Sequence, residues 1–222
     1  RQCPKRLWLE IHRPELRDDS ASQAVFAIGY QVGEVARQIY DPHGTGTTID
    51  IEELGHGEAL SRSAELLAAQ GDTPLFEAGV TIKGALAYAD VMLPDAVSGR
   101  FAWRMVEVKS SGSVKDYQRD DIAVQAYIAT VAGVPLSSVS LAHIDTSFVY
   151  QGGGDYRGLL VEKDLTEEAM ARGPEVAEWI AGAQSVAAAT AEPQISTGPQ
   201  CASPFACAFS AYCNQGRVFP EY

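Results

Sequence analysis

The chain has 222 residues, 46% of them hydrophobic and 21% charged, with a formal net charge of −12 at pH 7. That length supports one full core with a small appendage, and the ordinary charged and aromatic content excludes a disordered or low-complexity chain. No apolar run approaches the roughly 18 residues of a membrane span, and the start at Arg1 carries no signal pattern, so a cytoplasmic protein, or a fragment of one, is expected without a membrane partner.

Apolar residues Val25, Phe26, Ile28, Val32, Val35 and Ala36 recur at helical spacing after an Asp18-Asp19-Ser20 start signal, which predicts a first helix. A second is predicted over residues 58–69, ending at Gly71. Strand-like runs follow at 75–82, 85–93 and 101–108, separated by Lys83-Gly84 and by residues 94–100. An amphipathic helix over 117–131 stops at Gly133, and a strand covers 138–150. Gly152-Gly153-Gly154 reads as a hairpin turn, because the helix and lysine of a phosphate-binding loop do not follow it. A helix over 167–188 precedes a tail rich in Pro, Gly, Ser, Cys and aromatics. This order predicts an α/β or α+β fold with a mixed sheet.

A net negative chain is a poor match to nucleic acid, whose partners usually present a basic patch. The stretch from Arg100 to Arg119 runs against that balance: Arg100, Arg104, Lys109, Lys115 and Arg119 stand against only Glu107 and Asp116.

Within this stretch lies a set of residues suited to phosphodiester chemistry. Glu107 and Lys109 are two apart late in a predicted strand and so share a face. Asp90 ends the preceding, otherwise apolar strand and joins that face if the two strands pair. Charged groups placed toward a core need a partner or a metal. Two carboxylates and the Val108 carbonyl make a hard oxygen site for Mg²⁺ or Mn²⁺, and such an ion neutralises a scissile phosphate and activates a water. The adjacent lysine positions or deprotonates that water and stabilises developing charge. A solvated Glu–Lys pair beside an unrelated Asp is the plainer alternative.

Asp90, sixteen intervening residues, Glu107-Val108-Lys109 and a following helix carrying Gln125 together resemble the PD-(D/E)XK nuclease superfamily, most closely its RecB-like branch. The resemblance implies a restriction-endonuclease-like core of a helix, three antiparallel strands, a helix and a further strand. It implies Asp90 and Glu107 as metal ligands, Lys109 as the catalytic lysine, and Gln125 as the glutamine of a Gln-x-x-x-Tyr motif. Ala129 occupies the tyrosine position, and Gly33 stands where a Gly-x-x-x-His motif counted from Gly29 would place its histidine. Glu77, an acidic interruption of the first core strand, is the candidate to replace that ligand.

The four cysteines are Cys3 near the start and Cys201, Cys207 and Cys213 near the end. Steps of six would place the last three about 120° apart around a helix, so they form no buried stripe. Disulfides, a zinc site and a four-thiolate iron–sulfur cluster are the readings open from the residues alone. One N-terminal and three C-terminal cysteines enclosing a nuclease core resemble the iron–sulfur nucleases, including AddB-type helicase–nuclease subunits and CRISPR-associated adaptation exonucleases. The opening Cys3-Pro4-Lys5-Arg6-Leu7-Trp8-Leu9 is similar to that group's entry segment. This implies a cluster, of the 4Fe-4S kind, held by Cys3, Cys201, Cys207 and Cys213, with Trp8, Phe205, Phe209 and Tyr212 as candidates to shield it. Such a cluster would staple the two chain ends, with a structural rather than redox role.

The expectation is therefore an N-terminal helical segment over 1–55, a nuclease core over 56–150, and a C-terminal helix with a cluster segment over 151–222. The implied activity is a Mg- or Mn-dependent deoxyribonuclease working on single-stranded DNA or ends as an exonuclease, in DNA repair, with a helicase or other subunit as partner. The alternatives are a non-catalytic nucleic-acid-binding or assembly module on the same fold, and a zinc-stabilised hydrolase of another substrate.

Overall fold

The computed structural model describes residues 2–18, 20 and 23–215. By contact the chain divides into two units, one of residues 1–26 with 177–222 and one of residues 27–176. The sequence segments 1–55, 56–150 and 151–222 are thus distributed over two units, and the first unit draws on both chain ends.

In the first unit, helix α1 (Pro4–His12) begins with Pro4, whose missing N–H costs nothing in a first turn. It buries Trp8 and Leu9 against Cys207 and Phe209. Burying each large apolar side chain contributes roughly 1.5–3 kcal/mol. Polar ties hold the two chain ends together around that core. Trp8 Nε1 donates to the Ala189 carbonyl at 2.8 Å, and Gln2 Nε2 donates to the carbonyls of Gln200 and Phe205, each at 2.7 Å. The Lys5 ammonium pairs with Glu192 at 2.6 Å, whose other oxygen accepts from the Tyr212 hydroxyl at 2.8 Å. The cysteine-bearing tail is irregular, as its composition predicts, with single turns at Pro199–Cys201 and Ser210–Cys213.

The second unit is a six-stranded mixed sheet with strands in sequence order: β1 (Thr47–Thr48), β2 (Leu75–Ile82), β3 (Ala85–Val97), β4 (Arg100–Lys109), β5 (Leu136–Ile144) and β6 (Leu160–Asp164). β2, β3 and β4 form an antiparallel meander, while β5 lies parallel to β4. A parallel neighbour requires a crossover, and α5 (Asp116–Val131) supplies it. Helix α2 (Gln23–Tyr40) enters this unit, followed by α3 (Ile51–Leu54) and α4 (His56–Ala69). The side chains of Val25 and Phe26 on the predicted first helix, and Asp19 of its start signal, lie outside the described residues.

Two close approaches fix the helices on the sheet. Ser63 of α4 donates to its own helix at Ala59 O (2.7 Å) and accepts from Gly79 N of β2 (2.9 Å), all within the core. A side chain at Gly79 would meet the Tyr88 ring at 2.7 Å and Leu60 at 2.8 Å, so only glycine lets the helix come this near. Helix α5 buries Ile122, Ala123, Ala126 and Ala129 and packs against β2, β3 and β5. Trp103, fully buried, donates from Nε1 to Leu67 O of α4 at 3.3 Å.

Several expectations are corrected. The helix predicted over 167–188 is two helices, α6 (Thr166–Ala171) and α7 (Gly173–Ala188). Pro174 has no N–H to continue the α6 ladder, and Arg172 fixes the break by donating to Asp120 of α5 at 2.6 Å. The strand predicted to reach 150 ends at Ile144, and Gly152, Gly153 and Gly154, all with positive φ, turn the chain into β6. β6 was not predicted. No helix among the described residues is long and apolar enough to cross a membrane.

Candidate functional site

The strand register builds the site. Phe76 pairs with Val91 and Ala78 with Ala89, which sets Glu77 beside Asp90. Val91 pairs with Val106, which sets Asp90 beside Glu107. Three carboxylates therefore cross three adjacent strands in one row. Glu77 holds a φ of +58°, a left-handed backbone that a residue with a Cβ adopts only at an energetic cost, and the ladder resumes in unbroken register on either side of it.

Each carboxylate has a different environment. Asp90 is half-buried, and its Oδ2 accepts from the Val108 N–H at 2.7 Å. Burial, then the field of Glu107, push its carboxyl well above the ordinary carboxylate range despite that hydrogen bond. Glu107 is 5% exposed, and both of its oxygens are engaged: Lys109 Nζ lies 2.7 Å from Oε1, and Gln125 Nε2 donates to Oε2 at 2.7 Å. Burial opposes the charge on Lys109, but Glu107 outweighs it, and Lys109 is held protonated above the usual lysine range. Asp121 of α5 approaches Lys109 at 3.4 Å. Burial also raises the Glu77 carboxyl, against the pull of Arg37.

Asp90, Glu107, Lys109, Gln125 and Glu77 are thus brought to one place, and Val108 joins them through its N–H. Gln125 reaches Glu107 from α5, and its own Oε1 is buried without a hydrogen-bond partner. Ala129, at the tyrosine position, is buried in the helix–sheet contact. The sequence reading missed Arg37, which α2 places 3.8 Å from Glu77 Oε1. Its signal was present: Gly33-Glu34-Val35-Ala36-Arg37 has the Gly-x-x-x-His spacing with arginine in the last position.

Among the described residues, no three His, Cys, Asp or Glu side chains are arranged to hold a single metal ion. Lys109 and Gln125 occupy both Glu107 oxygens, and the Val108 N–H occupies one of Asp90. The donor set still suits a hard divalent cation, which takes oxygen ligands: three carboxylates in a row, two of them in mutual repulsion, and an orphaned amide oxygen beside them.

The second candidate site lies wholly in the first unit. Cys3, Cys201, Cys207 and Cys213 all line one cavity, together with Lys5, Arg6 and Phe209. The cavity is small, about 10 Å³ in volume. All four thiols are free, and Cys207 N donates to Cys201 O at 2.8 Å to close the intervening loop. Burial, opposed by Lys5, raises the Cys213 thiol, and the other three cysteines raise it further. Of the aromatic candidates, Phe209 and Trp8 are buried here, whereas Phe205 is 49% exposed beneath the Arg6 guanidinium and shields nothing. The four thiols thus line one space, and among the described residues no three of them are arranged to hold a metal ion.

No family model matches this chain, and no curated protein matches it.

Proposed function

We propose that the second unit is a divalent-metal-dependent nuclease of the PD-(D/E)XK type, RecB-like, acting as an exonuclease on single-stranded DNA ends. The observation that carries this reading is the row Glu77–Asp90–Glu107 across three adjacent strands, with Lys109 on Glu107 and Gln125 closing over it. The element order supports it: α4, the β2–β3–β4 meander, α5, then β5 parallel to β4.

In this reading Asp90, Glu107 and Glu77 hold Mg²⁺ or Mn²⁺, which when bound neutralises phosphate charge and acidifies a water. The chain's own residues do the rest. The Val108 N–H fixes one Asp90 oxygen, so the other is presented in a set orientation. Gln125 holds Glu107 by one oxygen and brings an unpartnered acceptor for a water proton or a cation. Lys109, 2.7 Å from Glu107 and 3.4 Å from Asp121, is placed to position that water and to stabilise developing phosphate charge. Burial of Glu107 strengthens its contacts with Lys109 and Gln125.

In the first unit, Cys3, Cys201, Cys207 and Cys213 would hold an iron–sulfur cluster of the 4Fe-4S kind, with a structural role. The reading rests on their shared cavity. Iron and acid-labile sulfide are to be measured on anaerobically purified protein. About four of each per chain supports it, and zinc in their place contradicts it.

One observation favours the second reading, a nucleic-acid-binding module without catalysis. Ala129 leaves the helix over the site without the motif's phenol. Cleavage of end-labelled DNA with Mn²⁺, compared between wild type and Lys109→Ala, decides between them. Metal-dependent cutting lost in the variant is catalysis, and binding without cutting is the module.

A further inference from the structure

The carboxylate row carries a cation at each end. At the Glu107 end, Lys109 is held at 2.7 Å by Glu107 and flanked by Asp121. At the Glu77 end stands Arg37, delivered by the last turn of α2. Its guanidinium lies 3.8 Å from Glu77 Oε1, with the side chain 23% exposed. Its other carboxylate is Glu34, one turn earlier on the same helix and itself exposed.

These contacts differ in kind. Lys109 makes a short, charge-assisted bond inside the site. Arg37 lies well beyond the distance of such a bond to Glu77, at an open edge, and its remaining partner is a surface pair of the sort that contributes little. A guanidinium so placed keeps donors to spare. It is always charged, and its planar fork matches the oxygens of a phosphate two at a time, which an ammonium cannot do. The residue it approaches, Glu77, is also the one with the left-handed backbone in mid-strand, and strain of that kind gathers at functional sites. A row of three carboxylates repels a polyanion, so a substrate phosphodiester needs cations at the rim of the row as well as within it.

We propose that Arg37 is a substrate-binding residue, whose guanidinium takes the non-bridging oxygens of a phosphodiester next to the one being cut, with Glu77 and Glu34 holding the fork ready until substrate arrives. The inference rests on the nuclease reading. It assigns Arg37, beside Glu77, to backbone phosphate, where the sequence had offered Glu77 as a ligand in place of the absent histidine. The plainer alternative is a helix-terminal arginine that complements the α2 dipole and touches no substrate.

The test is the salt dependence of binding. A fluorescein-labelled single-stranded oligonucleotide is titrated with full-length wild type, Arg37→Ala and Arg37→Lys in Ca²⁺, across a range of potassium chloride concentrations. One phosphate contact on a single strand accounts for about 0.7 in the slope of log affinity against log salt. Arg37→Ala is expected to lose that amount and to bind about tenfold more weakly. Arg37→Lys, which keeps the charge without the fork, is expected to retain the slope with intermediate affinity. An unchanged slope in Arg37→Ala overturns the proposal and leaves the dipole role. A loss of slope shared by Arg37→Lys also supports the proposal, since the contact then requires the planar fork and not charge alone. A wild type that binds no oligonucleotide removes the nuclease reading and this inference together.

Discussion

Gln125 and Glu107 are joined across the helix–sheet interface by a 2.7 Å hydrogen bond, and the amide oxygen left over on Gln125 is buried without a partner. An unsatisfied buried acceptor is costly, of order 1–3 kcal/mol, and a protein retains one where something else completes it. In the proposed site, water or a cation does so.

Replacing Gln125 by alanine should therefore cost activity more than stability. Loss of the residue that orients a metal-binding carboxylate typically costs 10–100-fold in metal affinity or activity. The expected result is a rise of that order in the Mn²⁺ concentration for half-maximal cleavage, with the thermal midpoint unchanged or raised. A lowered midpoint and unchanged metal dependence would make Gln125 a packing residue.

Asp90→Asn should separate stability from function. Asp90 is driven well above its ordinary value of 3.8 by burial and by Glu107. In metal-free protein a carboxyl with a raised folded pKa is favourable at low pH, and it costs stability as pH rises from the unfolded value through the folded one. Asparagine keeps an oxygen for the Val108 N–H and carries no charge. Urea unfolding in EDTA should show the variant as stable as wild type at pH 4 and more stable, by about 1 kcal/mol or more, at pH 8. Activity should be absent at both. Equal stability at pH 8 would mean that Asp90 bears no such penalty.

Ser63 bridges α4 and β2 with both its donor and its acceptor engaged in the core. Ser63→Ala leaves the Gly79 N–H buried without an acceptor, for a loss of about 1–3 kcal/mol. The urea midpoint should fall with an unchanged denaturant slope. A loss below about 0.5 kcal/mol would show that the backbone finds another partner.

The tie between the chain ends has a predictable pH window. The Lys5 hydrogen bond holds the Glu192 carboxyl below its ordinary value of 4.5, and the same bond raises Lys5 above 10.5. The pair's contribution is present between those values. It fades as pH falls through the depressed carboxylate pKa and as pH rises through the elevated lysine pKa. Limited proteolysis of the cysteine-bearing tail should therefore accelerate below about pH 4.5 in wild type, while Glu192→Gln should already be sensitive at pH 7 and gain little on acidification. Identical pH profiles would assign the tie to Trp8 and Gln2 alone.

How much of this was legible beforehand follows from where each signal lives. β2 and the helix over 58–69 were readable because Leu75–Ile82 and His56–Ala69 carry strong apolar patterns between glycines and turns. β6 was not, because Leu160–Asp164 is a short edge strand of mostly charged and exposed residues. The break at Arg172 needed Pro174 to be weighed above the continuing apolar period. Asp90, Glu107 and Lys109 were found by spacing, since strand alternation survives in sequence. Arg37 was not, since its meaning depends on a helix arriving at Glu77 from residues far away in the chain.

In the proposed function the carboxylate row cuts phosphodiesters with a divalent metal. The most direct measurement is cleavage of end-labelled single- and double-stranded DNA by anaerobically purified protein in Mn²⁺ or Mg²⁺, with Glu107→Ala and Lys109→Ala beside it. Metal-dependent shortening from an end is expected, about 100-fold or more slower in both variants, with both variants folded by circular dichroism. Intact DNA after incubation with wild type that still binds it, or cutting that survives in both variants, would contradict it.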